Sequence, residues 1–176
     1  VRCHICQWRC VIRPQKFGLC QVRQNVDSVL QILNYAEVSS VAVDHIEKKP
    51  LFHLHPTTLA FSIVGGVCNI TVDTFELAHL MRGALGRETW LTADLTVGFI
   101  ELAKRYGCEG IAWTYNEPGI WLEYTLDAAK IAKAEGLYTV YVTNGYSTPE
   151  ALDAIGPYLD AWRVDVKGFS DSFYRQ

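Results

Sequence analysis

Residues 107–145 read GCEGIAWTYNEPGIWLEYTLDAAKIAKAEGLYTVYVTNG. A short apolar run, GIAWTY at 110–115, is followed by a longer amphipathic stretch at 119–136 and then by a β-branched run, YTVYVTN at 138–144. Runs of these lengths and compositions predict strand, helix and strand. Gly107 and Gly136 stand where left-handed caps would stop helices. A helix between two strands of this kind predicts a parallel pair with a right-handed crossover.

The same alternation extends in both directions. LAFSIV at 59–64 reads as a strand and DLTVGFIELAKRYG at 94–107 as a helix. TPEALDAIGPYL at 148–159 reads as a helix opened by Thr148 as N-cap and Pro149 at the first helical position, and AWRVDV at 161–166 as a further strand. The predicted class is α/β, with a parallel sheet that carries its chemistry in the loops after the carboxyl ends of the strands. Those loops read GGVCN, NEPG, TNGYS and KGFS.

Before this regular region, residues 26–57 predict a collar of short β segments, and residues 1–25 form a cysteine- and arginine-rich head without a long enough period to fold unaided. Cys3, Cys6, Cys10 and Cys20 give the head a C-x2-C-x3-C-x9-C spacing. Four thiolates suit zinc or an iron-sulfur cluster, and metal binding would supply the folding energy the segment lacks. The alternative is four reduced cysteines without a ligand, and spacing does not separate zinc from a cluster. His4 reads as a bystander, and His53 with His55 as a loop pair without a third ligand. Cys108 reads as a small buried apolar residue.

With 176 residues, 49% hydrophobic content and a formal net charge of -3, the chain has the composition of a soluble globular domain with enough apolar material for a core. So small a charge argues against nucleic acid and anionic membranes as general partners. Small molecules or a protein are expected instead. No apolar run approaches the ~20 residues of a membrane span, and the expected location is the cytoplasm. The start at Val1 and the polar stop after a strand-like run lead us to expect a piece of a longer protein.

Three loop groups are candidates for ligand binding. In YNEPG at 115–119, Glu117 can accept from a ligand ammonium or ribose while Pro118 stiffens the loop; alternatively Asn116 caps a helix and Glu117 complements its dipole. Thr143 and Asn144, before Gly145, are either a polar rim for a ligand carboxylate or an ordinary loop. Asp165 and Lys167 share one face of a strand because side chains alternate, so they form either a salt bridge or a ligand site.

Taken together, VRCHICQWRC with GLCQVRQN, HIEKKPLFHLHP, the run from Glu101 to Leu137, VTNGYSTPEAL and YLDAWRVDVKGFSDSFYR resemble the radical S-adenosylmethionine enzymes. The likeness is to the radical enzyme of the AmmeMemoRadiSam group, which is similar to pyruvate formate-lyase activating enzymes. The resemblance implies the N-terminal half of a partial (β/α) barrel over residues 58–176, truncated at its carboxyl end, that holds a 4Fe-4S cluster and S-adenosylmethionine. It implies that Asn116, Glu117 and Pro118 receive the methionine amino group and that Thr143, Asn144, Asp165 and Lys167 lie at ligand-facing strand ends. It further implies reductive cleavage of the sulfonium to a 5'-deoxyadenosyl radical that abstracts hydrogen from a substrate, which could be a protein.

The family's cluster loop reads C-N-x-x-C-x-x-C. Here Cys68 and Asn69 fill the first two positions, but Val72 and Phe75 replace the second and third cysteines. Codons for Glu76 to Leu80 can encode Asn-Trp-Leu-Ile-Ser when shifted by one base, and codons for Thr71 to Thr74 contain a shifted Cys-Arg-Tyr. Both recover what the family carries there, so residues 72 to about 90 are expected to be read out of frame. The competing expectation is a non-catalytic S-adenosylmethionine-binding or zinc-binding interaction protein.

Overall fold

The computed structural model describes residues 1–66 and 94–174. A two-stranded antiparallel hairpin, β1 (Arg23–Val26) and β2 (Val29–Ile32), precedes a five-stranded sheet in the order β3-β4-β5-β6-β7. β3 (Val38–His45) pairs antiparallel with β4 (Leu59–Gly65). From there β4, β5 (Gly110–Trp113), β6 (Tyr138–Thr143) and β7 (Ala161–Val164) are all parallel. The helices are α1 (Asp94–Arg105), α2 (Leu122–Ala134), α3 (Pro149–Ile155) and the short α4 (Asp171–Tyr174). A mixed α/β fold with a parallel sheet is thus present, as the sequence predicts.

Period-two alternation divides the strands between two cores. Phe61, Ile63, Ile111, Trp113 and Tyr141 pack with Ile100 and Ala103 of α1, Ala128, Ala129 and Ala132 of α2, and Ile155 of α3. On the opposite face, Ala60, Ala112 and Val140 meet Ile46 and Tyr138. Ala60 and Ala112 of the inner side thus stand opposite strand positions whose larger side chains face the helices. Gly107 and Gly136 have φ of +70° and +77° and end their helices in the expected left-handed conformation. Thr148 accepts from Ala151 N and Pro149 opens α3, as predicted.

The elements differ from expectation at their edges. The stretch from residue 119 begins as a 3-10 turn, Pro118–Trp121, before α2. α3 ends at Ile155, with Gly156–Tyr158 as a second 3-10 turn. β7 stops at Val164 where its partner β6 ends at Thr143, although Asp165 N still donates to Thr143 O at 2.8 Å.

Candidate functional site

The loops after β5, β6 and β7 converge on one pocket of about 360 Å³. β5 contributes Thr114, Tyr115, Asn116 and Glu117; β6 contributes Thr143 and Asn144; β7 contributes Arg163, Asp165 and Lys167. Lys48, Lys49 and Pro50 close it from the side of β3. The volume is that of a small-molecule site, and its place at the carboxyl ends of parallel strands is where such folds bind ligands. Six of the seven residues singled out for cofactor binding line it. Pro118 is the exception: it is buried at the first position of the 3-10 turn and lines a neighbouring crevice, where its missing N–H costs nothing.

Glu117 joins two of these loops. It caps the 3-10 turn, its Oε1 accepting from Gly119 N at 2.8 Å and from Thr143 Oγ1 at 2.7 Å, while Oε2 accepts from Asn144 N at 2.8 Å. The cap is thus Glu117 and not Asn116, whose side-chain amide instead donates to Gly65 O. Glu117 is 4% exposed. Burial pushes its carboxyl above the ordinary range, against the donors Asn144 N, Thr143 Oγ1 and Gly119 N and the nearby Lys167 charge. A carboxylate offers about four acceptor positions, so three internal donors leave one for a cation in the pocket.

Asp165 and Lys167 do form a salt bridge, with Lys167 Nζ donating to Asp165 Oδ2 at 3.1 Å. Arg163 donates to the other carboxylate oxygen. All three alternate onto the face that lines the pocket, so the bridge and the pocket wall are the same structure.

The lysine wall has no counterpart among the residues selected from sequence. Asp44, buried on β3, accepts from Lys48 Nζ at 2.6 Å, Lys49 Nζ at 2.7 Å and Ser62 Oγ at 2.8 Å. Burial opposes its charge, but the hydrogen bonds from Lys48, Lys49 and Ser62 outweigh it and lower the carboxyl to about 2. Lys49 is itself 3% exposed and lies 5.0 Å from the centroid of the Tyr115 ring. The available signal was a pair of lysines four and five residues after a strand aspartate.

Cys3, Cys6, Cys10 and Cys20 line a second, separate cavity, and no disulfide joins the described cysteines. Among the described residues no three His, Cys, Asp or Glu side chains converge as a coordination sphere. His55 stacks on Tyr138 with centroids 4.6 Å apart, and His4 lies 3.7 Å from Glu150. Cys108 is buried in the helix-side core, where burial raises its thiol pKa. Cys68, Asn69, Val72 and Phe75, and the stretch 72–90 expected to be out of frame, lie outside the described residues. Among the described residues no helix is long and apolar enough to cross a membrane.

Residues 68–176 match the Radical SAM superfamily. Over 180 aligned residues the chain is 38% identical to an uncharacterized protein of Methanocaldococcus jannaschii, a likeness that takes in 100% of this chain and 52% of the relative. The chain therefore spans about half the length of the curated relative it matches. No solved structure matches.

Proposed function

The chain belongs to the radical S-adenosylmethionine superfamily, and from that premise we propose that the pocket beyond β5, β6 and β7 binds S-adenosylmethionine. The observation that carries this reading is the Glu117 carboxylate, buried among three internal donors with acceptor capacity left toward the pocket. A methionine ammonium is a fitting donor for that capacity, and its charge would compensate the cost of ionising a buried carboxyl. Lys167 and Arg163 supply cations for the methionine carboxylate, with Asp165 holding both in place. Thr143 and Asn144 fix Glu117, and Asn116 ties the loop to Gly65 at the end of β4.

The finer assignment is to the radical enzyme of the AmmeMemoRadiSam group, similar to pyruvate formate-lyase activating enzymes. Its support is the motif set in HIEKKP, YNEPG, VTNGYST and VDVKG. Members of the superfamily typically pair S-adenosylmethionine with a 4Fe-4S cluster, which when bound supplies the electron for cleaving the sulfonium. The pocket residues fit S-adenosylmethionine. The cluster loop of this sequence does not fit its cluster, because Cys68 is its one thiol and Val72 and Phe75 carry no donor atom. No catalytic step is therefore derived for a chain with this loop, and a non-catalytic S-adenosylmethionine-binding protein is the second reading.

The gene separates the two. It is resequenced, and the protein it encodes is reconstituted anaerobically with iron and sulfide, then examined by electron paramagnetic resonance and assayed for 5'-deoxyadenosine. A frame that restores cysteines at 72 and 75 is expected to give a cluster signal and product. A restored protein that gives neither contradicts the enzyme reading; a gene that encodes Val72 and Phe75 in an intact frame, with no cluster signal, establishes the non-catalytic one.

A further inference from the structure

The head has almost no regular structure of its own, yet it is not a loose tail. Residues 1–22 contain no helix and no strand beyond single bridges at Arg2–Val11, Cys6–Ser147 and Phe17–Gln24. Cys3 and Cys6 are nevertheless buried, and all four head cysteines face one cavity walled by Ile5, Trp8, Ile12 and Ile120.

Arg23 gives the second observation. It is 2% exposed and lines the same cavity. Its terminal nitrogens bind Glu123 at 2.6 Å each, and one also reaches Ile120 O at 3.1 Å. Its Nε is buried without a hydrogen-bond partner. A buried cation with an unused N–H beside four cysteines suits sulfur in its anionic form, since thiolate is a far better acceptor than thiol. Outer-shell donors of this sort accompany metal-bound ligands.

We propose that Cys3, Cys6, Cys10 and Cys20 bind a single divalent ion of the zinc type as a tetrathiolate centre, which clamps the head onto the loop between β6 and α3. Binding four thiols to one such ion releases four protons and leaves a centre of net charge -2, beside which the unpartnered Nε–H of Arg23 is a donor for a thiolate. The cavity that the four cysteines line is small, and four thiolates around one ion make a closed tetrahedral centre. The sulfurs surround that cavity without meeting at a point; in sites that form together with folding, the ion itself draws its ligands in.

The consequence reaches the pocket through the backbone. Gln7 N donates to Tyr146 O at 3.0 Å, Thr148 N to Ile5 O at 3.1 Å, and Gln7 Nε2 to Ser147 O at 2.8 Å. Arg9 forms a two-pronged pair with Glu150 at 2.8 and 2.9 Å. The loop so held begins with Thr143 and Asn144, the two residues that position Glu117.

The test is metal analysis of the whole protein in a Cys68→Ala/Cys108→Ser background, where the head cysteines are the only thiols left. About one zinc, or one other divalent ion, per chain is expected, together with four thiols that react slowly with a thiol reagent until a chelator is added. Adding Cys6→Ser and Cys20→Ser should remove the ion. Chains without bound metal, thiols that react at full rate before chelation, or about four irons with sulfide per chain would overturn the proposal. Because the chelation arm uses folded protein with all four ligands, a misfolded Cys6→Ser/Cys20→Ser variant does not decide the outcome. The readout is also independent of S-adenosylmethionine binding, so the two readings fail separately.

Discussion

Asp44 and Glu117 are both buried carboxylates, and their surroundings push them in opposite directions. Asp44 has two lysines on it and is brought down to about 2. A lowered carboxyl contributes stability above its unfolded value, near 4, and loses it as the pH falls toward 2. Asp44→Ala would strand the buried Lys49 ammonium, so a loss of about 3–5 kcal/mol is expected in chemical denaturation. Lys48→Ala, which removes an exposed partner, should cost less than about 1 kcal/mol. Glu117 has the opposite sign. Its pKa is raised, so its contribution is fully present below its unfolded pKa and fades as pH rises through the folded one. A ligand ammonium favours the ionised form, so the thermal shift produced by S-adenosylmethionine should grow as pH rises through that range. Glu117→Gln should abolish the pH dependence; an unchanged slope in that variant would show that another group titrates. Glu117, Thr143, Asn144, Asp165 and Lys167 could be placed at strand ends from the sequence because they stand at or just beyond runs of strand character, while a ligand role for them was decided only by the resemblance. Lys48 and Lys49 were not, since two adjacent lysines before a proline look like an ordinary polar turn until the fold lays them against Asp44.

At the level of elements, local signals set the helix boundaries well where a cap and a glycine agree, as at Thr148 and at Gly107 and Gly136. They set them poorly where tertiary contacts intervene. Ile120 and Trp121 belong to a 3-10 turn because Trp121 Nε1 donates to Asn34 O at 2.6 Å and Ile120 O receives Arg23, contacts across about 90 and 100 residues of chain that no local window contains. Gly119 shows how closely that turn is fitted. A Cβ there would stand 2.7 Å from Ser147 Oγ and 2.8 Å from Glu117 Oε1. Gly119→Ala is therefore expected to displace the carboxylate and weaken S-adenosylmethionine binding more than it lowers the melting temperature. Equal affinity in that variant would mean that the turn does not position the site.

In the molecule as a whole, the parallel order β5 to β7 was readable because α2 and α3 each separate two strand-like runs at short loop distances, and β4 because LAFSIV and the helix at 94–105 continue the same alternation. The antiparallel β3 and the docking of the head were not. The head's partners lie about 140 residues away, on the loop after β6 and the first turn of α3, and its short irregular turns carry no period to read. The outcome is a sheet whose strand ends are held from three directions: by Asp44 and its lysines, by the head, and by the helix side through Arg23 and Glu123. The lysines line the pocket directly and the head holds the loop that follows Thr143 and Asn144, and equilibrium binding of S-adenosylmethionine measured by titration calorimetry tests the pocket's role most directly. One saturable site per chain is predicted, with affinity reduced by about 10-fold or more in Glu117→Gln. Absence of binding, or undiminished affinity in a folded Glu117→Gln variant, would contradict it.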